Sequence, residues 1–224
     1  MLNYDDKCHI IESNLDNKKY WLWPKEDRDL WGHCSNEWPM LKQMWEQFID
    51  KYDVCIQAGG ACGMYPRLLG EKFKKLYTFE PEPLNFTCLV FNCQNDNIHK
   101  YNAVLGDKHT TVKLVSREDY IYNRGMYHVG IDGTYEIPML MIDDFNLSDC
   151  DFIQLDIEGC ELMALNGARN TIEKFKPVIS CENGTEDILR FLQSIAPYKH
   201  VARLQTGYDH GTKLGRYDDT YKVI

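Results

Sequence analysis

The chain has 224 residues, 44% hydrophobic and 12% aromatic, which is the composition of a packed globular protein, and no stretch approaches the length of a membrane span. Its 25 Lys and Arg against 34 Asp and Glu leave a formal net charge of −9, which argues against a general affinity for nucleic-acid phosphates. Nine cysteines without a C-x-x-C or a zinc-finger spacing suit a reducing compartment, and residues 1–17 lack the features of a secretion signal, so a soluble cytoplasmic protein is the expectation.

In chain order, residues 1–34 are irregular and aromatic, with Tyr20, Trp21, Trp23 and Trp31 around Pro24. They read as a lid or, more in keeping with tryptophan as a packing residue, as a plug at one end of a sheet. Trp38, Leu41, Met44, Trp45 and Phe48 then recur at helical spacing, predicting a helix over 37–51 with Asn36 as its cap. Val54, Cys55 and Ile56 form a buried-strand run that leads into Gly59, Gly60 and Gly63 and a helix over 65–73. Glycine there permits positive φ and close approach of a ligand, and the helix start offers free N–H donors. The next strand, LYTFE, ends in Glu80, 21 residues after Gly59, where a carboxylate can accept both ribose hydroxyls. NAD and S-adenosylmethionine (SAM) both satisfy this logic, and Ala58 in place of the first glycine of G-x-G-x-x-G favours SAM. The competing reading is a plain tight turn followed by an unrelated exposed glutamate.

Pro81 and Pro83 end that strand and open a helix through residue 92, and a third strand covers 99–105. Asp107, just after it, contacts a purine or caps the turn. Residues 111–115 alternate like an exposed strand, 120–131 read as a hairpin or mobile loop, and 137–142 as a strand, which makes the loop at 117–135 the leading substrate cover. His128 is the one group in it suited to proton transfer near neutral pH, or else a surface histidine. The strand FIQLD delivers Asp156, with Glu158 on the same side if extended geometry persists. Two carboxylates beside a cofactor raise one another's pKa, whereas the structural alternative is helix capping by Glu158 and backbone bonding by Asp156. PVISCE ends in Glu182, a helix follows over 185–195, and residues 200–204 and 217–224 suit a final antiparallel pair.

Taken together, IQAGGACGMY, YTFEPEPLNFTCLVFN, NAVLGD, MLMIDDF, DFIQLDIEGCELMALNGA and KPVISCE resemble the FkbM family of SAM-dependent methyltransferases over residues 53–183. The resemblance implies an α/β fold of the class I Rossmann-like type, a seven-stranded mostly parallel sheet with helices on both faces and an antiparallel final strand. Residues 53–224 would then be the SAM-binding domain and 1–52 an aromatic extension and helix packed on it. It also implies SAM as cofactor, S-adenosylhomocysteine as product, and O-methylation of a sugar, glycan or natural-product-like hydroxyl. By the same carry-over Gly59 and Gly63 approach the methionine part, Glu80 holds the ribose, and Gln57, Gly60, Pro81, Val104, Asp107 and Asp156 complete the candidate cofactor contacts. Asp156, Glu158 and His128 are the candidate catalytic residues, with no metal. Two positions depart from the family: Gln57 replaces an acidic residue and Gln154 a lysine. The competing functions are an RNA methyltransferase, whose usual Pro-Pro-aromatic or Pro-Cys motif does not occur here, a nicotinamide oxidoreductase, and a catalytically inactive methyltransferase-fold binding protein. The expected partner is a small-molecule or glycan acceptor, with no membrane, and a homodimer is the generic expectation for any oligomer.

Overall fold

The computed structural model describes residues 6–27, 29–116, 125, 127–133, 135–208 and 215–224. Most of the 117–135 segment singled out above therefore lies outside the described residues. In chain order the elements are β1 (Cys8–Glu12), β2 (Tyr20–Pro24), α1 (Leu30–Trp45), β3 (Val54–Ala58), α2 (Met64–Leu69), β4 (Lys75–Phe79), α3 (Pro83–Asn92), β5 (Ile98–Tyr101), β6 (Val104–Leu105), β7 (Thr110–Ser116), β8 (Tyr127–Gly130) and β9 (Tyr135–Leu140). A 3-10 turn (Ile142–Phe145), β10 (Phe152–Leu155), α4 (Glu161–Asn166), α5 (Arg169–Phe175), β11 (Val178–Glu182), α6 (Glu186–Gln193), β12 (Tyr198–Tyr208) and β13 (Gly215–Val223) follow.

The apolar runs at β3, β10 and β11 are buried along their whole length because helices cover both faces of the sheet they build. That sheet has the order β12-β13-β11-β10-β3-β4-β5, and β13, antiparallel to both neighbours, is its one reversed strand. This is the Rossmann-like architecture expected from the sequence. β3 and β10 lie side by side where the chain changes its direction of winding, the place at which doubly wound sheets bind ligands at their carboxyl edge. One apolar cluster joins Cys55, Leu76 and Phe152 to α1, α2 and α3, and a second joins Ile56, Ile153 and Leu155 to α4, α5 and α6.

The amino-terminal segment packs against α2 and α3. β1 and β2 form an antiparallel pair whose Trp21 and Trp23 are fully buried. The Asn92 side chain of α3 receives the Leu22 N–H at 2.8 Å and donates to the Leu22 carbonyl at 2.9 Å, as a neighbouring strand would. Arg67 of α2, also buried, grips Asp16 through two nitrogens, donates to the Tyr20 carbonyl and stacks 3.8 Å from the Trp21 ring centroid.

Several boundaries differ from expectation. α1 begins at Leu30 with Asn36 inside it, because Leu30, Cys34, Trp38, Leu41 and Trp45 make one buried stripe that overrides both the Asn cap signal and the interior Pro39. The strand expected over 99–105 splits in two: Asn102 turns the chain out of the main sheet, donating to the carbonyls of Glu80 and Pro81 at 2.8 and 2.9 Å, and β6 pairs with β9 instead. The helix after Asp156 breaks at Gly167, where a Cβ would lie 1.9 Å from the Gly106 carbonyl oxygen. β6, β7, β8 and β9 form a second sheet of order β6-β9-β7-β8. Eight cysteines are buried and none of the nine forms a disulfide, in keeping with their use as small apolar side chains. Among the described residues no helix is long and apolar enough to cross a membrane.

Candidate functional site

β3 ends against a turn that the backbone itself constrains. Gly59 has φ +82°, and a Cβ on it would sit 1.9 Å from the Asp156 carbonyl oxygen, so only glycine lets β3 and β10 end this close together. Four amides of the turn are engaged within the chain. The N–H groups of Gly59 and Gly60 both donate to the Phe79 carbonyl, that of Gly63 to the Gly60 carbonyl, and that of Ala61 to Glu80 Oε2 at 2.7 Å. Glu80 Oε1 accepts the Glu82 N–H at 2.8 Å. The Asn85 side chain is also hydrogen-bonded to this carboxylate, which with three donors keeps lone-pair capacity for about one more, enough to accept a ribose hydroxyl. Glu80 is 5% exposed, and burial pushes its pKa up to about 8 against the lowering effect of those amides.

The turn after β10 carries the second set of groups. Its extended geometry ends at once: Glu158 has φ +53° and Gly159 φ +92°, so alternation along a strand does not place Glu158. The turn is held by Glu161, whose Oε1 accepts the N–H groups of Ile157 and Gly159 at 3.1 and 3.3 Å, a bracing role the sequence reading had offered to Glu158. Asp156 and Glu158 are thereby aimed at Glu182, which ends β11, and one carboxylate oxygen from each of the three lies within 4.8 Å of the others. Arg216 of β13 neutralises part of this charge: it grips Glu182 through Nε at 2.6 Å and through Nη2, and lies 4.0 Å from Glu158. Burial, then the charge of Asp156, to which it is hydrogen-bonded, holds the Glu182 carboxyl well above the usual range, while Arg216 pulls the other way. Burial and then Asp156 do the same to Asp218, two residues along β13 from Arg216. Burial works against the charge of Arg216, but Glu182 and Asp156 more than offset it and raise its pKa.

Two cavities meet at these groups. The first, enclosing about 660 Å³ of space partly open to solvent, is lined by Trp23, by His33, Cys34 and Glu37 of α1, by Gly60, Ala61, Met64 and Tyr65, and by Arg216. The second, about 530 Å³, is lined by Pro81, Ala103, Val104 and Leu105 on one side and Leu114, Tyr127, His128 and Val129 of the second sheet on the other. Gly59, Glu80, Asp156 and Glu158 belong to both. Their sizes are those of small-ligand clefts. Of the residues expected from the sequence, Gly59, Gly60, Glu80, Pro81, Val104, Asp156, Glu158 and His128 therefore converge. His128 lies in the second cavity, with Nδ1 buried and without a hydrogen-bond partner among the described residues.

Gln57, Gly63 and Asp107 line neither cavity. Asp107 is exposed, and a Cβ on Gly63 would meet Cys93 and Leu89, so that glycine serves the packing of α2 on α3. Gln57 is fully buried within the sheet. Its amide donates to Gln154 at 3.0 Å and its oxygen accepts the Thr78 hydroxyl at 2.6 Å. The two departures noted in the sequence are thus one feature, a neutral amide pair in register across β3 and β10. The sequence reading missed Glu37, Tyr65 and Arg216. The Tyr65 hydroxyl donates to Glu37 at 3.1 Å, and burial followed by the charge of Asp156 pushes Glu37 up to about 7.

A family model described as the methyltransferase FkbM domain matches residues 63–201. Among solved structures, a methyltransferase FkbM from Methylobacillus flagellatus KT is 20% identical with a TM-score of 0.53, over 75% of this chain and 43% of that one. The chain thus spans less than half the length of that protein. The N-methyltransferase NodS from Bradyrhizobium japonicum WM9, in complex with S-adenosyl-L-homocysteine, is 10% identical with a TM-score of 0.50, over 89% of this chain and 94% of that one. No curated protein matches the chain significantly.

Proposed function

We infer the function from one premise: the chain belongs to the FkbM family of methyltransferases. S-adenosylmethionine is its cofactor, and the residues present fit it. Glu80 has acceptor capacity left for a ribose hydroxyl, and the apolar wall of Pro81, Ala103, Val104 and Leu105 suits a purine. The sulfonium supplies an electrophilic methyl group whose leaving group is a neutral thioether.

The acceptor we propose is a hydroxyl on a sugar, glycan or small natural-product-like molecule. The observation that carries this reading is the convergence of Asp156 and Glu158 on the wall shared by both cavities. A hydroxyl gives up a proton as its oxygen is methylated, so it needs an acceptor within hydrogen-bond reach. The Asp156 and Glu158 pair orients the hydroxyl and takes that proton. Crowding helps it: burial and the charge of Asp156 raise Glu182 and Asp218, so carboxyls beside the pair take up protons more readily than free ones do. His128, on the Val104 side of the site, is assigned to the nucleoside and not to the proton transfer. Trp23 and the indoles behind it close the acceptor side from water, which leaves positioning as the main task of the protein.

The test is release of S-adenosylhomocysteine on incubating the protein with SAM and a panel of sugar and glycoside acceptors, wild type beside Asp156→Asn and Glu158→Gln. Loss of about 10²-fold or more in turnover in at least one variant, with cofactor affinity kept, is expected. Near-normal turnover in both would show that the proton goes elsewhere.

A further inference from the structure

The cofactor's methionine tail carries an ammonium and a carboxylate, and each needs a counter-charge once it leaves water. With the nucleoside against Glu80, Val104 and Leu105, as assigned above and on which this inference rests, the tail has one direction left. It runs over the glycine turn into the cavity walled by α1 and α2. Four carboxylates face that cavity: Glu37, Glu80, Asp156 and Glu158. Three have other work. Glu80 braces the amides of Ala61 and Glu82, Asp156 is hydrogen-bonded to Glu182, and Glu158 lies 4.0 Å from Arg216. Gln57, the side chain nearest in sequence to the turn, is spent inside the sheet on Gln154 and Thr78.

We propose that Glu37 of α1 binds the α-ammonium group of the cofactor's methionine. It lines, with Met64 and Tyr65, the same cavity as the glycine turn and Glu80, into which a tail leaving the ribose would run. The Tyr65 hydroxyl fixes one oxygen at 3.1 Å and leaves the other, 3.8 Å from His33, facing the cavity. Its pKa of about 7, raised by burial and then by Asp156 and only partly lowered by Tyr65 and Arg216, describes a desolvated carboxylate short of counter-charge, and an ammonium placed there favours the ionised form. Glu37 lies outside the stretch 63–201 matched by the family model, so this contact is contributed by the amino-terminal extension.

Calorimetric titration separates the contact from the rest of the site. Wild type and Glu37→Gln, which keeps the shape and an acceptor for Tyr65, are titrated with S-adenosylhomocysteine and with 5′-methylthioadenosine, which has the nucleoside and thioether but no amino acid. The variant is expected to bind S-adenosylhomocysteine about 10- to 100-fold more weakly and the thioadenosine as well as wild type does. Unchanged affinity for S-adenosylhomocysteine, or equal weakening for both compounds, overturns the assignment while leaving the cofactor in place. Wild-type protein that binds neither compound overturns the cofactor reading and this assignment with it.

Discussion

Replacing Glu80 by glutamine is expected to change stability by an amount that depends on pH and to weaken cofactor binding. The Glu80 carboxyl is buried with a pKa of about 8, far above its unfolded value. Between these two values the native state holds a proton that the unfolded chain has lost, so the stability it contributes is present at low pH and disappears as pH rises through about 8. From near pH 6 to near pH 9 that loss amounts to roughly 2.5 kcal/mol, two pH units at about 1.4 kcal/mol each. Glutamine does not titrate, but it turns an NH₂ group toward one of the two amides, Ala61 or Glu82, that the carboxylate satisfied. That costs about 1–3 kcal/mol at every pH. Glu80→Gln is therefore less stable than wild type near pH 6 and close to it, or slightly above it, near pH 9. In a chain of this size the change in the wild-type minus variant difference corresponds to roughly 5–10 °C in melting temperature. Urea or thermal unfolding of both proteins at the two pH values measures it, and titration with S-adenosylhomocysteine shows the variant's lost affinity. A stability difference that is the same at both pH values refutes the buried, proton-holding Glu80.

Gly59→Ala forces a Cβ to within 1.9 Å of the Asp156 carbonyl oxygen at φ +82°, so β3 and β10 must part at their carboxyl ends; cofactor affinity is expected to collapse even in preparations that remain folded by circular dichroism. Arg216→Met strands the buried Glu182 and is expected to cost about 3–5 kcal/mol at alkaline pH, where Glu182 is ionised, and less as pH falls and it takes up a proton, as read by denaturation across that range. Because Arg216 already bridges Glu182 toward Glu158, turnover is expected to be insensitive to EDTA and to added Mg²⁺; restoration of activity by a divalent ion after chelation would show that the three carboxylates hold a metal.

The parts of the site that were legible in the sequence are those carried by local pattern. A buried run followed by glycines fixed β3, and Pro83 behind Glu82, whose side chain accepts the Asn85 N–H, marked the start of α3. Glu80, Asp156 and Glu158 were visible because each follows directly on such a run. What was not legible depends on partners far apart in the chain. Gln57 and Gln154 read as two separate departures, and only the parallel register of strands 97 residues apart makes them one hydrogen-bonded pair. Glu37 sat among apolar residues that signal a packed helix, and nothing local says that α1 turns it, with His33 and Cys34, toward the cavity over the glycine turn. Arg216 lay just before the final strand as read from its apolar pattern, yet the antiparallel pairing of β13 with β11 puts it against Glu182. At the glycine turn the sequence signalled room for a ligand, and what it could not show is that the close approach of Asp156 also requires glycine and that the amides of Gly59, Gly60, Ala61 and Gly63 are bonded within the chain.

The central claim is tested most directly by titrating the wild-type protein with SAM, S-adenosylhomocysteine and NADH in parallel. Saturable one-to-one binding of the first two and none of the third is the expected result. Binding of NADH alone, or of none of the three, would contradict the assignment of this site to methyl transfer.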